Sequence, residues 1–178
     1  MSFAHDNNGS SFRIGYGYDI HRIEPVPPRG QGRPFLLGGI LVDEGSGPVA
    51  KTDGDILFHA VTDGILGALA LPPMGQLFTH DDPRKGSVDS AIYLTEACRQ
   101  IADRGWKVGN IDVSIILETP RIQNRIPEIR QALARTLGTE LFQLSVKVKT
   151  HEGIGELGAG AAVEVHASVL LAKTPSNP

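Results

Sequence analysis

Three clusters of side chains along the chain could do chemistry. The first is Asp19-Ile20-His21. Alternate residues of a strand face one side, so a carboxylate and an imidazole two apart converge on one point. Zinc accepts such a pair. On spacing alone, a surface histidine steadied by a strand-end carboxylate explains the dipeptide better than a ligand pair does. The second cluster is Asp53-Gly54-Asp55 with His59 and Asp63. Asp55, His59 and Asp63 fall at i, i+4 and i+8, one stripe of a helix. Ionisable groups on an otherwise apolar helix are costly to bury without partners, and a bound cation would satisfy them. The competing reading makes Asp53 a helix N-cap and Asp63 a solvent-facing residue. We take Asp53 as the cap and His59 as a ligand. The third cluster, Lys147 to Gly153, leads into the glycine-rich run GIGELGAG. Backbone N–H groups in such a loop can cradle phosphate, with Lys and Thr side chains adding donors. A solvated charged turn is the plainer alternative.

The elements that would carry these clusters follow from periodicity. Residues 12–20, FRIGYGYDI, read as a strand loosened by Gly15 and Gly17. A Pro/Gly loop runs from Glu24 to Pro34. FLLGGILV at 35–42 reads as a second strand, and DEGSGP as a turn. Asp53 opens a helix with Ile56, Leu57, Ala60, Val61, Ile65 and Leu66 on one side, which Pro72 and Pro73 stop. Asp89 or Ser90 can cap a second helix, with Ala91, Leu94, Cys98 and Ile101 inward and Gly105 at its end. Asn110 to Leu117 is a strand, and Ile126 to Leu137 a helix ended by Gly138. Leu144 to Lys149 and Ala161 to Leu171 are strands, the latter with Val163, Val165, Ala167 and Val169 inward. Strands interleaved with three helices imply an α/β or α+β sandwich.

Composition sets outer limits. A chain of 178 residues with 40% hydrophobic and 21% charged residues suits one domain with a real core. The net charge of -3 and the lack of a basic run speak against sequence-independent nucleic-acid binding. No apolar run approaches the ~20 residues a membrane-spanning helix needs. Cys98 is the only cysteine, so no disulfide forms within the chain, which suits a reducing compartment. The expected organisation is a disordered leader over 1–11, one domain over 12–172 and a frayed tail over 173–178, with the cytoplasm as location. His166 reads as a surface histidine, Cys98 as core and Trp106 as packing.

Beyond the separate clusters, the order of segments is informative. GYGYDIHRIEP, LLGGI, TDGDILFHAVTDGILGAL, MGQLF followed by DDP, GNIDVSII with TPRI, and VKVKTHE resemble the 2-C-methyl-D-erythritol 2,4-cyclodiphosphate synthase family in the same order. The resemblance runs from about Arg13 to Leu171. It implies a ferredoxin-like α+β sandwich, with a four-stranded mixed sheet and helices on one face, assembled as a homotrimer with active sites between subunits. It implies Asp19, His21 and His59 as zinc ligands and Glu152 as the ligand of a second metal, Mg²⁺ or Mn²⁺. Thr150 matches the threonine that stabilises the transition state. Pro120, Arg121, Thr150 and His151 match the cytidine pocket, and Gly75 a backbone contact near the ribose. Thr52 falls in the substrate-binding segment. The implied reaction closes 4-diphosphocytidyl-2-C-methyl-D-erythritol 2-phosphate to the cyclic diphosphate and expels CMP, with no protein nucleophile.

The chain also departs from the family pattern. Lys51 stands where the family has a phosphate-orienting histidine, and an ammonium is a looser point charge. Pro73 stands where an aspartate contacts the ribose, and His80 where an acid is usual. Glu156 and Ala159 replace an aromatic and an arginine at the central trimer cavity. Two other readings therefore accompany the synthase: a member with altered substrate or no turnover, and a trimeric zinc-containing binding protein.

Overall fold

A computed structural model describes residues 10–78, 81–84 and 89–175. In chain order the strands are β1 (Phe12–Pro25), β2 (Phe35–Leu37), β3 (Ile40–Asp43), β4 (Ser46–Pro48), β5 (Trp106–Ile116), β6 (Leu144–Lys149) and β7 (Ala162–Lys173). The helices are α1 (Ile56–Ala68), α2 (Ala91–Ala102), α3 (Ile126–Leu137) and the single turn α4 (Gly155–Gly158). The main sheet has five strands in the order β4-β1-β7-β5-β6, and β2-β3 form a separate hairpin. Only the β5–β6 pair is parallel; β1–β4, β1–β7 and β5–β7 are antiparallel. The mixed α+β class holds, but the expected four-stranded sheet is corrected to five.

The extra strand is legible only in tertiary context. Ser46-Gly47-Pro48 has the composition of a turn, yet its backbone pairs with Ile23 to Pro25 at the end of β1. Pro48 is tolerated there because β4 is an edge strand. The predicted strand over 35–42 is likewise two strands. Gly38 and Gly39 both take positive φ, 62° and 77°, and fold it into a hairpin. Lys173, assigned from sequence to the tail, is the last residue of β7. The expected leader falls outside the described residues except for Ser10 and Ser11.

The core lies between the helices and one face of the sheet. Ile56, Leu57, Ile65 and Leu66 of α1 are buried with Leu94 and Ile101 of α2, and with Ile129 and Leu133 of α3. Val163, Val165, Ala167 and Val169 of β7 are buried as their alternation predicts. Along β1 the odd residues face the helices: Gly15 and Gly17 are buried, and Asp19, His21 and Ile23 are half-buried. The even residues Phe12, Ile14, Tyr16, Tyr18 and Ile20 are exposed on the other face. His166 lies half-buried on that outer face, its Nδ1 toward the Tyr16 hydroxyl and its Nε2 toward Glu164. Trp106 packs against the core with the Arg13 guanidinium 5.6 Å over its ring. Cys98 is also packed there, and burial pushes its thiol up to about 11.

α3 ends as expected: Gly138 takes φ 64°, the left-handed cap glycine permits. α1 starts two residues later than predicted. Its N-cap is Asp55, whose side chain accepts from the Phe58 N–H. The expected cap, Asp53, has another use, described below.

Candidate functional site

Glycine governs how the first two clusters meet. A Cβ on Gly17 would lie 1.7 Å from the Ala60 carbonyl oxygen, and one on Gly15 1.9 Å from that of Gly64. α1 therefore lies directly against the β1 backbone. Two residues beyond Gly17, Asp19 points to the same side, and one turn before Gly64 on α1 stands His59. His59 Nδ1 is 2.9 Å from Asp19 Oδ2, and His21 Nε2 is 3.3 Å from the same oxygen. One ligand atom from each of the three side chains lies within 4.8 Å of the others. Burial pushes the Asp19 carboxyl up. The adjacent His21 and His59 rings outweigh that and hold it well below the usual carboxylate range.

This donor set fits a divalent cation. His21 Nε2 is buried and makes no hydrogen bond among the described residues. His59 Nε2 is engaged on the far side of its ring, 2.8 Å from Ser90 Oγ and 3.2 Å from Thr52 Oγ1. His59 Nδ1 is the ring nitrogen turned toward the carboxylate, and in a neutral ring protonated on Nε2 its lone pair would face an acceptor, an arrangement that a positive charge between them resolves. Two imidazole nitrogens and a carboxylate oxygen are the ligand types zinc takes, with a fourth position for an exogenous oxygen.

The helix stripe read from sequence divides. Asp55 is wholly buried, and its carboxylate accepts from the N–H groups of Gly38, Gly39 and Phe58. It secures the β2–β3 hairpin to α1 and lies outside the three-residue cluster. Asp63 accepts from Met74 N–H at 2.6 Å and so fixes the turn that carries Gly75. Only His59 of the stripe joins the cluster. Three backbone amides meet the Asp55 carboxylate and one meets that of Asp63.

The remaining predicted residues fall into two groups. Lys51 is exposed beside Thr52, whose hydroxyl touches His59. Pro120, Arg121 and Thr150 line one cavity of about 270 Å³ between the loops after β5 and β6, together with Leu117, Val148 and Lys149. His151 and Glu152 continue the same loop, where the Thr150 hydroxyl meets a Glu152 carboxylate oxygen. Glu152 has a positive φ of 51°, unusual for a non-glycine residue. The Glu118 carboxylate accepts from the His151 and Gly153 N–H groups at 2.9 and 3.1 Å and ties this loop to its neighbour. Sequence reasoning passed over Glu118 because its partners are backbone groups more than thirty positions away. His80 lies outside the described residues.

β1 and β6 are separated by β7 and β5 in the sheet. At ~4.8 Å per strand, three steps put about 14 Å between the Asp19 strand and the Glu152 strand. Glu152 is accordingly not part of the three-residue cluster. One chain thus carries a candidate metal centre at one side of the sheet and a candidate anion-binding loop at the other.

Fold and site together define an α+β protein with a candidate divalent-metal centre of one carboxylate and two imidazoles. Comparison with known proteins supplies the family. The model of the YgbB family matches residues 12–172, and the chain belongs to that family. It is 40% identical over 162 residues to the chloroplastic 2-C-methyl-D-erythritol 2,4-cyclodiphosphate synthase of Arabidopsis thaliana, covering 91% of this chain and 68% of that protein. It is also 40% identical over 159 residues to the synthase of Thermosynechococcus vestitus, covering 89% of this chain and 95% of that one. Among solved structures it resembles IspF of Plasmodium falciparum in complex with CDP, with a TM-score of 0.78, 34% identity and coverage of 93% and 98%.

Proposed function

We propose that Asp19, His21 and His59 hold the zinc of a 2-C-methyl-D-erythritol 2,4-cyclodiphosphate synthase. The chain is an enzyme of this kind, a lyase of non-mevalonate isoprenoid precursor synthesis. It converts 4-diphosphocytidyl-2-C-methyl-D-erythritol 2-phosphate to the 2,4-cyclodiphosphate and releases CMP. The observation that carries the assignment of residues is the convergence of the three ligand atoms within 4.8 Å.

The reaction needs no protein nucleophile. An oxygen of the substrate's 2-phosphate bonds to the β-phosphorus, the bond from that phosphorus to the bridging oxygen breaks, and CMP departs with the electron pair. Two polyanionic groups must be brought together, so alignment and charge neutralisation dominate. Zinc at the Asp19 centre and Mg²⁺ or Mn²⁺ at Glu152 would supply that neutralising charge to the phosphoryl oxygens. Pro120, Arg121, Thr150 and His151 hold the cytidine and its phosphates. Thr150 donates to oxygens that gain charge in the transition state, and Thr52, Lys51 and Gly75 border the diphosphate and ribose. Lys51 neutralises phosphate charge with a mobile ammonium.

The wide separation of Asp19 and Glu152 supports a homotrimer in which one copy's metal centre meets the neighbour's cytidine loop. The exposed apolar row on β1 supports such self-association. No described helix is long and apolar enough to cross a membrane. We assign the enzyme to the cytoplasm, as the lone thiol suggests. The Lys51 and Pro73 departures favour a second reading, a relative with altered specificity.

Metal removal tests the assignment. Protein stripped by a strong chelator should release CMP at least 100-fold more slowly than protein resupplied with Zn²⁺ and Mg²⁺. No CMP from the metal-loaded protein would remove the synthase reading and leave a relative with altered substrate or no turnover, or a zinc-containing binding protein.

A further inference from the structure

Ser90 stands at the N-cap of α2, where serine hydroxyls ordinarily accept from the first-turn amides. Its hydroxyl makes no such bond. The residue is wholly buried, and its Oγ lies between His59 Nε2 at 2.8 Å and a carboxylate oxygen of Asp53, to which it makes a very short hydrogen bond. Asp53 is an acceptor on both oxygens, taking the Asp55 N–H on Oδ1 and the Ser90 N–H on Oδ2.

These contacts set the direction of the Ser90 hydroxyl proton and, through it, of the proton on His59 Nε2. A carboxylate already accepting two main-chain N–H groups is the acceptor, so Ser90 donates its only hydroxyl proton to Asp53. The Ser90 lone pairs can then only accept, and the group opposite them is His59 Nε2. His59 must carry its proton on Nε2, with the Thr52 hydroxyl at 3.2 Å as a second partner. In the neutral ring that leaves the Nδ1 lone pair toward Asp19 Oδ2, 2.9 Å away.

We infer that Asp53 and Ser90 are positioning residues: a relay, reaching in from the start of α2, that sets the tautomer and ring orientation of His59 so that Nδ1 is presented to the cation. Groups placed this way commonly tune metal affinity 10–100-fold. The relay explains why α2 forgoes its usual serine cap, and why Asp53 sits two residues ahead of the cap of α1. It also couples the metal centre to the N-cap residue of α2, Ser90. The inference rests on the metal-centre reading above.

The test uses full-length protein, zinc alone and two readouts other than turnover. In zinc-loaded protein with ¹⁵N-labelled histidine, imidazole NMR should show His59 protonated on Nε2 and not on Nδ1. Ser90→Ala should weaken zinc binding 10–100-fold in competition with a chromophoric chelator, while apo-protein thermal stability shows that it folds. Zinc affinity within two-fold of wild type in folded Ser90→Ala would overturn the relay and leave the metal centre standing. Wild-type protein that takes up no stoichiometric zinc would overturn both. Should Ser90→Ala fail to fold, the wild-type spectrum decides: a proton on Nε2 supports the relay, and a proton on Nδ1 refutes it.

Discussion

Replacing His59 by alanine should reduce bound zinc from one per chain to near zero and slow CMP release on the order of 10³-fold. The size follows from what is lost. Three side chains supply the candidate centre, and His59 is the most enclosed of them, with its side chain only 7% exposed against 19% for His21 and 27% for Asp19. A carboxylate and a single imidazole bind a divalent ion far more weakly than the three ligands do. Transition-state charge stabilisation of several kcal/mol disappears with the ion, and ~4 kcal/mol corresponds to about a thousandfold in rate. Zinc content by atomic absorption and CMP release by chromatography give the two numbers. Both should fall together. Stoichiometric zinc in His59→Ala would mean that the ligands are elsewhere.

A second large effect is expected at a residue with no functional group at all. Gly17→Ala should lower the melting temperature by about 10 °C or more and weaken zinc binding with it. The new Cβ would lie 1.7 Å from the Ala60 carbonyl oxygen and 2.7 Å from the Gly64 nitrogen, both backbone atoms that no rotamer change can move. α1 must then lift away from β1. Close-packed interiors resist such shifts, and a loss beyond about 4 kcal/mol is expected. At ~2–4 °C per kcal/mol for a domain of this size, that is the predicted fall. Because α1 carries His59 and β1 carries Asp19 and His21, the same displacement opens the ligand cluster. Gly67→Ala is the control. It lies on the exposed side of the same helix, where a Cβ meets nothing nearer than 4.0 Å, so alanine there should be neutral or slightly stabilising. A melting temperature for Gly17→Ala within 2 °C of wild type would show that the strand and helix are not held in this close contact.

Much of this arrangement is readable from sequence, for identifiable reasons. α3 and β6 match their expected bounds because each has a clean period and a clear terminator, Gly138 in one case. The inward set on β7 follows from simple alternation. Asp19 and His21 share a face because strand geometry requires it. What escapes local reading depends on partners distant in the chain. β4 is turn-like in composition and becomes a strand only by pairing with the end of β1. Asp53 looks like a helix cap from its position before an apolar run, but its carboxylate is taken by Ser90, thirty-seven positions on. Asp55 and Asp63 have the spacing of cation ligands, yet main-chain N–H groups from the β2–β3 hairpin and the Met74 turn occupy them. Helical spacing shows that side chains share a face; it does not show what stands opposite.

The candidate metal centre and the proposed cytidine loop lie apart in the fold. Asp19, His21 and His59 meet within a single fold. Thr150, Arg121 and Pro120 line a cavity at the far side of the sheet, away from that cluster.

The decisive measurement is an anomalous-scattering map of zinc-loaded crystals, recorded on either side of the zinc absorption edge. A single strong peak per chain should appear within bonding distance, ~2.0–2.2 Å, of His59 Nδ1, His21 Nε2 and a carboxylate oxygen of Asp19. A map with no peak between those side chains, or with full zinc occupancy at some other group, would contradict the assignment on which the proposed chemistry depends.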